Sequence, residues 1–519
     1  MKKINYILSA IAVAAGLSSC VGDLNVTNPI DPNLTASGQA LKSENDYLSL
    51  LASVYTGFAT SGYEGANGGP SLSGLDGGTS QYLRGRFNLN DLTTDECLCG
   101  WNDEGVHDMS YMNWSNDNGL IGSFYYRICH QVSLCNEFIR VASNATINLP
   151  NKNLWIAEAR ALRAFCWLDG IDNFGNMPFA DENISVGKYP EQISRADLFS
   201  YIESECKDLL AGSDLPAYGQ GEYGRADKGL AAMVLAKLYL NAEVYIGEEK
   251  YSECADVIKN MGSAYSLHTT SKGKFSAFQE LFCADNHLCT DEIIFAVQQD
   301  GINTTSYGVT NFLIFACVGG KMDPSEFGIS SGWGGVRATQ QCFETFTSSD
   351  LRALFHKGGQ NGVENTTLGE FKDGYAFTKF RNVNADGSAA QANGFVDTDF
   401  PLFRYADALL MLAECELNGV SCGGLDAINK VRERAGMDKV SKLTEELVLE
   451  ERLRELCLEG WRRSDLIRFG KYTSDSFLWA WKGQALDGQG VEAHRVLFPL
   501  PTSDVNANPN LDQNDGYDL

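Results

Sequence analysis

The stretch ADKGLAAMVLAKLYLNAEVYIGEEKYSECADVIKN, residues 226–260, decides the fold class of this chain. Ala231, Leu235 and Leu238 recur at i, i+4 and i+7, the spacing that places apolar side chains on one face of an α-helix. Gly247 stands between two such runs, where a glycine can end the first helix and turn the chain. The stretch therefore predicts a helix–turn–helix pair.

A second pair of the same kind is YADALLMLAECELNGVSCGGLDAINKVRERAG, residues 405–436. Gly419 and Gly436 follow its two apolar helical runs, at positions typical of helix C-caps. Repeated helix–turn–helix units indicate a tetratricopeptide-like stack, although the spacing here is too irregular for a strict repeat of about 34 residues. The predicted fold class is mainly α.

Helical periodicity extends to further segments, and the full set of predicted helices is 46–60, 125–141, 154–174, 197–210, 227–245, 251–260, 405–417, 425–435 and 445–469. Residues 62–118 and 262–398 are instead rich in Gly, Asn, Ser and Thr, with scattered aromatic residues. Stacked helices act as scaffolds that present loops. We therefore expect one domain over 45–519, with helical repeats at about 45–60, 120–260 and 400–470 and loop-rich binding regions at about 61–119 and 262–400.

The charge balance limits the partners of the protein. The chain has 41 basic and 67 acidic residues among 519, which gives a formal net charge of −26. Such a charge repels nucleic acid backbones and anionic lipid head groups. With 44% hydrophobic residues the chain can still bury a large core. We expect a folded protein that does not bind nucleic acid.

The N-terminus has the pattern of an export signal. Lys2 and Lys3 precede an apolar run over residues 4–17, and small residues lead to Cys20. The apolar run is too short for a stable membrane span. It therefore indicates export of the chain rather than a transmembrane anchor.

The residues LSSC, 17–20, resemble a bacterial lipobox, in which cleavage precedes the cysteine and the cysteine is lipidated. We expect a signal peptide at 1–19, lipidation of Cys20, and a polar tether at 20–44. Several acyl chains hold a protein to a membrane far more firmly than a single chain. The mature protein should therefore be lipid-anchored.

The segment TTDECLCGWNDEG, residues 93–105, combines Cys97, Cys99 and Trp101 with acidic and turn-forming residues. Three interpretations compete: a zinc site, a disulfide, or an aromatic platform for a ligand. Neither a second cysteine pair nor a histidine cluster accompanies Cys97 and Cys99, which argues against zinc. The disulfide and the platform stay open on these residues alone.

Five longer segments carry motifs typical of a known family: AEARALRAFCWLDGIDNFGNMPF (157–179), GRADKGLAAMVLAKLYLNA (224–242), LFRYADALLMLAECEL (402–417), RELCLEGWRRSDLIRFGKY (454–472) and FPLPTSDVNANPNLDQNDGY (498–517). Together with the lipobox they make the chain resemble the SusD/RagB family of outer-membrane nutrient-binding lipoproteins over essentially its whole length. The resemblance implies a SusD-like fold, a cell-surface location and no catalysis. It also implies delivery of an oligosaccharide to a TonB-dependent, SusC-like transporter.

Three loop segments, FNLNDLTTDECLCGW (87–101), QDGINTTSYG (299–308) and SGWGGVRA (331–338), resemble the starch-binding member of that family most. The resemblance implies that Trp101, Tyr307 and Trp333 form an aromatic arc around an α-1,4-glucan. A pyranose has apolar C–H faces and a hydroxyl rim, so flat rings with polar neighbours suit it.

Polar residues beside these rings complete the expected ligand site. Asn102 and Glu104 follow Trp101 in the sequence and can hydrogen-bond to sugar hydroxyls. Arg84 falls where the starch-binding relative has an arginine, so it is a candidate donor to sugar hydroxyls, with a structural salt bridge as the alternative.

A metal site is a weaker expectation. NVNADGSAAQAN, residues 382–393, opens like an EF-hand loop but ends in Asn393 where a bidentate glutamate belongs. The starch-binding relative carries a structural calcium elsewhere, and the matching acidic segment here, ADNHLCTDE at 284–292, is shorter. A structural calcium is therefore left open.

Enzyme chemistry finds little support in the sequence. GISSG, residues 328–332, matches the nucleophile-elbow pattern, but no strong strand pattern precedes it. A glycosidase needs only two carboxylates, which 67 acidic residues supply anywhere. We expect no enzyme, and the remaining alternatives are a binder of another glycan or of peptides and an exported glycoside hydrolase.

Two further predictions concern packing. Arg452, Arg454, Arg462, Arg463 and Arg468 alternate with acidic residues, which predicts ion pairs on a helix surface. The tryptophans on helical or near-helical patterns are expected to pack in the core, while Trp114 is left open; they are Trp155, Trp167, Trp461, Trp479 and Trp481.

Overall fold

The computed structural model describes residues 40–184 and 187–517. The predicted signal peptide, the lipidation site Cys20 and most of the tether at 20–44 lie outside the described residues. Within them, no helix is long and apolar enough to cross a membrane.

Helices dominate the described chain. Those of its N-terminal half are α1 (Glu44–Thr56), α2 (Tyr82–Asn90), α3 (Val106–Tyr111), α4 (Gly119–Ser143), α5 (Lys152–Asn173), α6 (Arg195–Ala211), α7 (Lys228–Leu240), α8 (Ala242–Ile246) and α9 (Tyr251–Asn260). Those of its C-terminal half are α10 (Ala277–Glu280), α11 (Val309–Cys317), α12 (Gln340–Glu344), α13 (Tyr405–Leu417), α14 (Gly424–Arg434), α15 (Glu445–Leu456), α16 (Arg462–Arg468) and α17 (Thr502–Ala507).

The long helices form one continuous stack. Helix α4 packs on α5, α5 on α6, α6 on α7 and α7 on α9; the stack continues through α13, which contacts both α14 and α15. Gly247 ends α8 with a φ of 71°, and Gly419 and Gly436 follow α13 and α14 with φ of 88° and 73°, a region that favours glycine. The mainly α fold predicted from the sequence is confirmed.

Strands are short and occur in antiparallel pairs. In the described residues they are β1 (Cys97–Cys99) with β5 (Val336–Ala338), β2 (Met177–Pro178) with β3 (Gln192–Ile193), β4 (Ile293–Val297) with β8 (Phe400–Arg404), and β6 (Phe355–His356) with β7 (Ala376–Phe377). Two of the pairs, β1 with β5 and β4 with β8, tie together parts of the chain that are distant in sequence. The β1–β5 pair joins the two loop-rich regions.

Five short helices of the described chain, α2, α3, α10, α11 and α12, lie inside those loop-rich regions, where the sequence predicts irregular structure; α2 and α11 are the longest of them. Every residue of α11 is buried, and in α2 every residue except Arg84 is buried. Each has only nine residues, and α2 carries buried polar residues such as Arg86 and Asn88, so neither shows an apolar repeat long enough to indicate a helix. The two helices pack on each other and, through α2, on α4.

The prediction of a single helix over 445–469 is wrong, because the chain breaks between α15 and α16. Leu458 and Gly460 have φ of 62° and 77° there. The N–H of Leu458 donates to Glu96 Oε2 at 3.0 Å, and the N–H of Gly460 donates to Asp91 Oδ1 at 2.9 Å. Two buried carboxyl groups from a distant segment therefore hold the break.

The prediction of surface ion pairs for the arginine cluster is also wrong, because the pairs are buried. The side chain of Arg452 is 0% exposed and pairs with Asp465 at 2.9 Å. Arg404 of β8 reaches Glu455 at 2.9 Å and Glu459 at 2.6 Å. The partners come from several elements packed together, so the charged face of this helix pair lies in the core rather than in solvent.

Candidate functional site

The β1–β5 pair brings Trp101 and Trp333 together. Cys99 pairs with Val336, and one step further the N–H of Gly100 donates to the carbonyl of Gly335 at 2.9 Å. Trp101 directly follows this pairing, and Trp333 lies just before it on the partner segment. The antiparallel register therefore places the two indoles side by side.

Glycines beside Trp333 allow this close approach. A Cβ on Gly335 would lie 2.4 Å from Cε2 of Trp101, so the indole rests directly on the glycine backbone. A Cβ on Gly332 would lie 2.2 Å from the carbonyl oxygen of Val318. These contacts depend on strand pairing, so the sequence alone does not reveal this role of the two glycines.

The three predicted rings form a contiguous arc. The ring centroids of Trp101 and Trp333 are 6.3 Å apart with planes at 51°, and those of Trp333 and Tyr307 are 6.1 Å apart with planes at 59°. Trp333 is the central ring. Because the planes turn between neighbours, the surface that they offer is curved rather than flat.

All three rings are partly exposed, and buried phenylalanines support them from below. Phe312 meets Trp101 edge-on at 5.9 Å, and Phe315 lies 5.0 Å from Trp333. Both phenylalanines belong to α11, whose apolar run is the feature of the sequence that could have indicated this floor. Trp101, Tyr307 and Trp333 therefore lie between core and solvent, as an aromatic platform requires.

Tyr307 is anchored by Asn67, which lies in the first predicted loop-rich binding region but is not one of the predicted site residues. Its hydroxyl donates to Oδ1 of the exposed Asn67 at 2.8 Å, and its ring lies 5.4 Å from that of Phe395. No sequence pattern links residue 67 to residue 307, so only the tertiary structure could identify this contact.

Arg84 lies at the same place, on the one face of α2 that is not fully buried. Its guanidinium carbon is 4.4 Å from the ring centroid of Phe312 and 5.7 Å from that of Trp101, and Nη1 donates to the carbonyl of Gly78 at 3.1 Å. Its Nε has no hydrogen-bond partner. Burial lowers the pKa of Arg84 to about 10, so the group is still charged at neutral pH.

This arrangement differs from the salt-bridge alternative for Arg84. Among the described residues, no carboxylate lies within ion-pair distance of it. The guanidinium is held over the rings of Phe312 and Trp101, with its unpartnered Nε buried. Asn102 and Glu104 are exposed next to Trp101, with side chains open to solvent.

The cysteines of the same segment serve packing. Cys97 and Cys99 are free thiols, 0% and 2% exposed. Burial raises the pKa of Cys99 to about 11 and that of Cys97 well above its usual value, so both stay protonated. The disulfide interpretation of this pair is therefore wrong, and the two thiols act as small apolar side chains.

The other tryptophans follow the predictions, with one exception. Trp155, Trp167, Trp461 and Trp479 are buried, and so is Trp114, whose Nε1 donates to the hydroxyl of Tyr517 at 2.9 Å. Trp481, which was predicted to pack in the core, is only partly buried.

The open question of calcium concerns a polar cavity of about 530 Å³. Asp285, from the acidic segment 284–292, lines it together with Asp300, Asp397 and Asp399. In the described chain, no group of three or more His, Cys, Asp or Glu side chains is placed to hold a metal ion. A structural calcium stays a prediction.

Comparison with known proteins places the chain in a family. The SusD family profile matches residues 356–517. The starch-binding protein SusD of Bacteroides thetaiotaomicron is 31% identical to the chain, and the match covers 99% of both proteins. SusD-like protein P25 of Formosa agariphila is 26% identical over 75% of this chain and 77% of the relative.

Solved structures share the fold. Surface glycan-binding protein A from Bacteroides fluxus has a TM-score of 0.69 and 21% identity, covering 92% of this chain and 100% of the other. The same-named protein from Bacteroides thetaiotaomicron, solved in complex with laminarihexaose, has a TM-score of 0.69 and 17% identity over 91% and 100% of the two chains. With 31% identity to SusD over 99% of its residues, the chain belongs to the SusD family of binding proteins and is not an enzyme.

Proposed function

We propose that the protein is a cell-surface lipoprotein that captures α-1,4-glucan oligosaccharides. The observation that carries this proposal is the arc of Trp101, Trp333 and Tyr307, whose partly exposed rings follow one another at 6.3 and 6.1 Å. Rings of this kind stack on the C–H faces of pyranoses, while Arg84 and the neighbouring amides can bond to hydroxyls.

The shape of the arc favours a curved glycan. Planes that turn by 51° and 59° between neighbouring rings fit a chain that bends, as an α-1,4-glucan does, better than a straight ribbon-like chain. The name of the relative at 31% identity, a starch-binding protein, supports the same ligand.

A second candidate ligand is a β-1,3-glucan. One protein of the same fold was solved with laminarihexaose, although its 17% identity to this chain supports the fold alone. A peptide ligand remains the alternative within the family, and the binding panel below includes peptides to test it.

Binding to a panel of polymers tests the proposal. We expect the protein lacking residues 1–20 to be retarded in gels that contain amylopectin, less in laminarin and not in dextran, and to ignore a peptide library. Release of reducing sugar from amylopectin would revive the glycoside hydrolase alternative. Retardation by laminarin alone would assign the arc to β-1,3-glucan.

A glycan-binding protein at the cell surface needs a membrane anchor and a transporter that carries the captured glycan across the outer membrane. The lipobox at residues 17–20 supports lipidation of Cys20, and family resemblance supports a TonB-dependent, SusC-like transporter of the outer membrane as the partner. Purification from outer membranes in mild detergent, with glucan present, should recover a large β-barrel protein with this chain. Recovery of the chain alone would count against the transporter.

A further inference from the structure

A second aromatic surface lies on the opposite face of the β1–β5 pair. Cys97 and Cys99 of β1 point into the main core, whereas Leu98 between them belongs to a small separate cluster with Leu368 and Ala480. Side chains alternate between the two faces of a strand, which accounts for this division. Tyr111 and Trp481, both partly exposed, pack on that second cluster.

The two rings have nearly the same relationship as neighbouring rings of the arc. The centroids of Tyr111 and Trp481 are 6.1 Å apart with planes at 54°, against 6.3 Å and 51° for Trp101 and Trp333. The ring of His107, one turn earlier in α3, lies 6.2 Å from that of Tyr111. The surface is therefore a second tilted pair of rings at the edge of the protein.

The backbone at Trp481 is strained. Its φ of 71° lies in the left-handed region, which a bulky residue rarely adopts. The indole Nε1 donates to the carbonyl of Asn365 at 2.8 Å, which fixes the ring. The tryptophans buried in the core, such as Trp167 and Trp479, have no such backbone. The strain holds an indole at the surface, which packing alone does not require.

Two nitrogen atoms without hydrogen-bond partners are buried behind this surface, closed to solvent. Arg337 of β5, opposite Leu98, is 0% exposed; its Nε and Nη2 donate to backbone carbonyls, but its Nη1 has no partner. His107 Nε2 is likewise buried without a partner. Burial, with a contribution from Arg337, lowers the pKa of His107, so its imidazole is neutral at neutral pH.

Two exposed amides lie at the rim of this surface. The exposed Asn113 and Gln484 lie within 3.4 Å of each other, Nδ2 to Oε1. Partly exposed rings with amides beside them suit a neutral ligand with apolar faces and many hydroxyls. The net charge of −26 further disfavours an anion.

We infer that Tyr111 and Trp481 form a second glycan-binding surface, which takes pyranose units of the same class of neutral glycan. The inference rests on the proposed function. Because the two surfaces lie on opposite faces of one strand pair, they engage separate stretches of a polymer, and simultaneous binding raises avidity for long chains more than affinity for short ones.

Gel retardation by amylopectin tests the inference on the protein lacking residues 1–20. Four proteins are compared: wild type, Tyr111→Ala, the double variant Trp101→Ala/Trp333→Ala, and the triple variant that adds Tyr111→Ala. We expect the double variant to keep part of its retardation and the triple variant to lose at least threefold more. Tyr189→Ala, which removes a ring 60% exposed elsewhere, is the matched control and should change nothing.

Tyr111→Leu separates loss of binding from loss of folding, because leucine keeps the apolar packing on Leu98 but removes the flat ring. The circular dichroism and melting temperature of this variant are compared with those of the wild type. Tyr111 variants that fold and leave retardation unchanged in both backgrounds overturn the inference while the proposed function stands. Absence of retardation by every glucan in the wild type overturns both. The full-length Tyr111→Ala protein is also purified from outer membranes. If this variant keeps the wild-type retardation but no longer co-purifies with a β-barrel protein, the glycan assignment is overturned and the surface is a protein contact.

Discussion

The indole nitrogen of Trp101 donates a hydrogen bond to the backbone carbonyl of Trp333, 3.4 Å away, although 232 positions separate the two residues. The bond fixes the orientation of Trp101 and occupies its one polar atom. What Trp101 offers to a ligand is therefore the face of its ring. Binding by this residue should come from stacking, while hydrogen bonds to sugar hydroxyls come from its neighbours.

The first prediction follows from that geometry. Trp101→Ala should weaken maltohexaose binding about tenfold or more, since an aromatic platform contributes roughly 1–3 kcal/mol per ring by analogy with base stacking. The ring is only partly buried, so the free energy of unfolding should fall by less than the roughly 3–5 kcal/mol typical of a buried tryptophan. Isothermal titration calorimetry and urea unfolding measure the two effects. Unchanged affinity with a large loss of stability would assign Trp101 to the core.

A second prediction concerns the glycine beneath that ring. Gly335→Ala places a methyl group 2.4 Å from Cε2 of Trp101, so the indole must move out of the arc. We expect maltohexaose affinity to fall at least fivefold and stability by about 1–3 kcal/mol, as for other overpacked sites. Gly394→Ala is the control, because a Cβ there meets nothing within 4 Å. Equal affinities for the two variants would show that the position of the indole is unimportant.

The third prediction addresses the anchor. Cys20→Ala should move the protein from the membrane fraction to a soluble fraction, because no other lipidation site or membrane-spanning segment is predicted in the sequence. Cys422→Ala, at a partly buried thiol within the fold, should leave the protein in the membrane fraction. Fractionation followed by mass spectrometry of the N-terminus provides the measurement. A membrane-bound Cys20→Ala protein would contradict the lipobox interpretation.

Local sequence patterns predicted most of the helical scaffold. The predicted helices 251–260 and 405–417 agree with the observed bounds to the residue, because their apolar spacing and flanking glycines are local signals. Helix α2 was not predicted because it has only nine residues and because buried polar residues such as Arg86 and Asn88 interrupt its apolar pattern. The break at Leu458 could not be predicted, since the carboxyl groups that hold it come from residues 91 and 96.

The candidate site likewise has features that the sequence predicted and features that it could not predict. The residue types of Trp101, Tyr307 and Trp333, together with family resemblance, predicted the rings that the structure brings together. Their supports, Asn67 and Gly335, were not predictable, because they meet the rings only through strand pairing and loop packing. The sequence identifies side chains suited to a ligand, whereas the contacts that orient those side chains form only in the tertiary structure.

The buried ion pairs supply a fourth prediction. Burial alone would raise the pKa of Glu455, but Arg434, Arg404 and Arg352 together hold it well below its usual value. Its stabilising contribution is therefore present above the unfolded pKa of about 4.3 and is lost as pH falls below it. Glu455→Gln should cost about 3–5 kcal/mol at pH 7, because it leaves buried guanidinium groups without their partner.

Urea unfolding at pH 7 and pH 3.5 measures this effect. The difference in unfolding free energy between wild type and Glu455→Gln should shrink at the lower pH. Glu450→Gln is the control: Glu450 pairs with Arg454 at 3.1 Å but is 43% exposed, so its loss should cost less than about 1 kcal/mol. A cost for Glu455→Gln no greater than that of the control would show that the buried network adds little stability.

The last prediction concerns the carboxyl groups that hold the break between α15 and α16. Burial raises the pKa of Asp91 to about 6 and that of the adjoining Glu96 well above its usual value, and the two side chains hydrogen-bond to each other. A raised pKa means that the folded state binds more protons than the unfolded state between about pH 4 and pH 6. Stability from Asp91 is therefore full at low pH and is lost as pH rises through that window, opposite in sign to Glu455.

Asp91→Asn keeps an oxygen for the Gly460 N–H but cannot ionise. We expect the unfolding free energy of wild type relative to Asp91→Asn to fall by roughly 2–3 kcal/mol between pH 4 and pH 7, at about 1.4 kcal/mol per unit of pKa. Urea unfolding of both proteins across that range checks it, and a difference that does not change with pH would mean that Asp91 titrates normally in the folded protein.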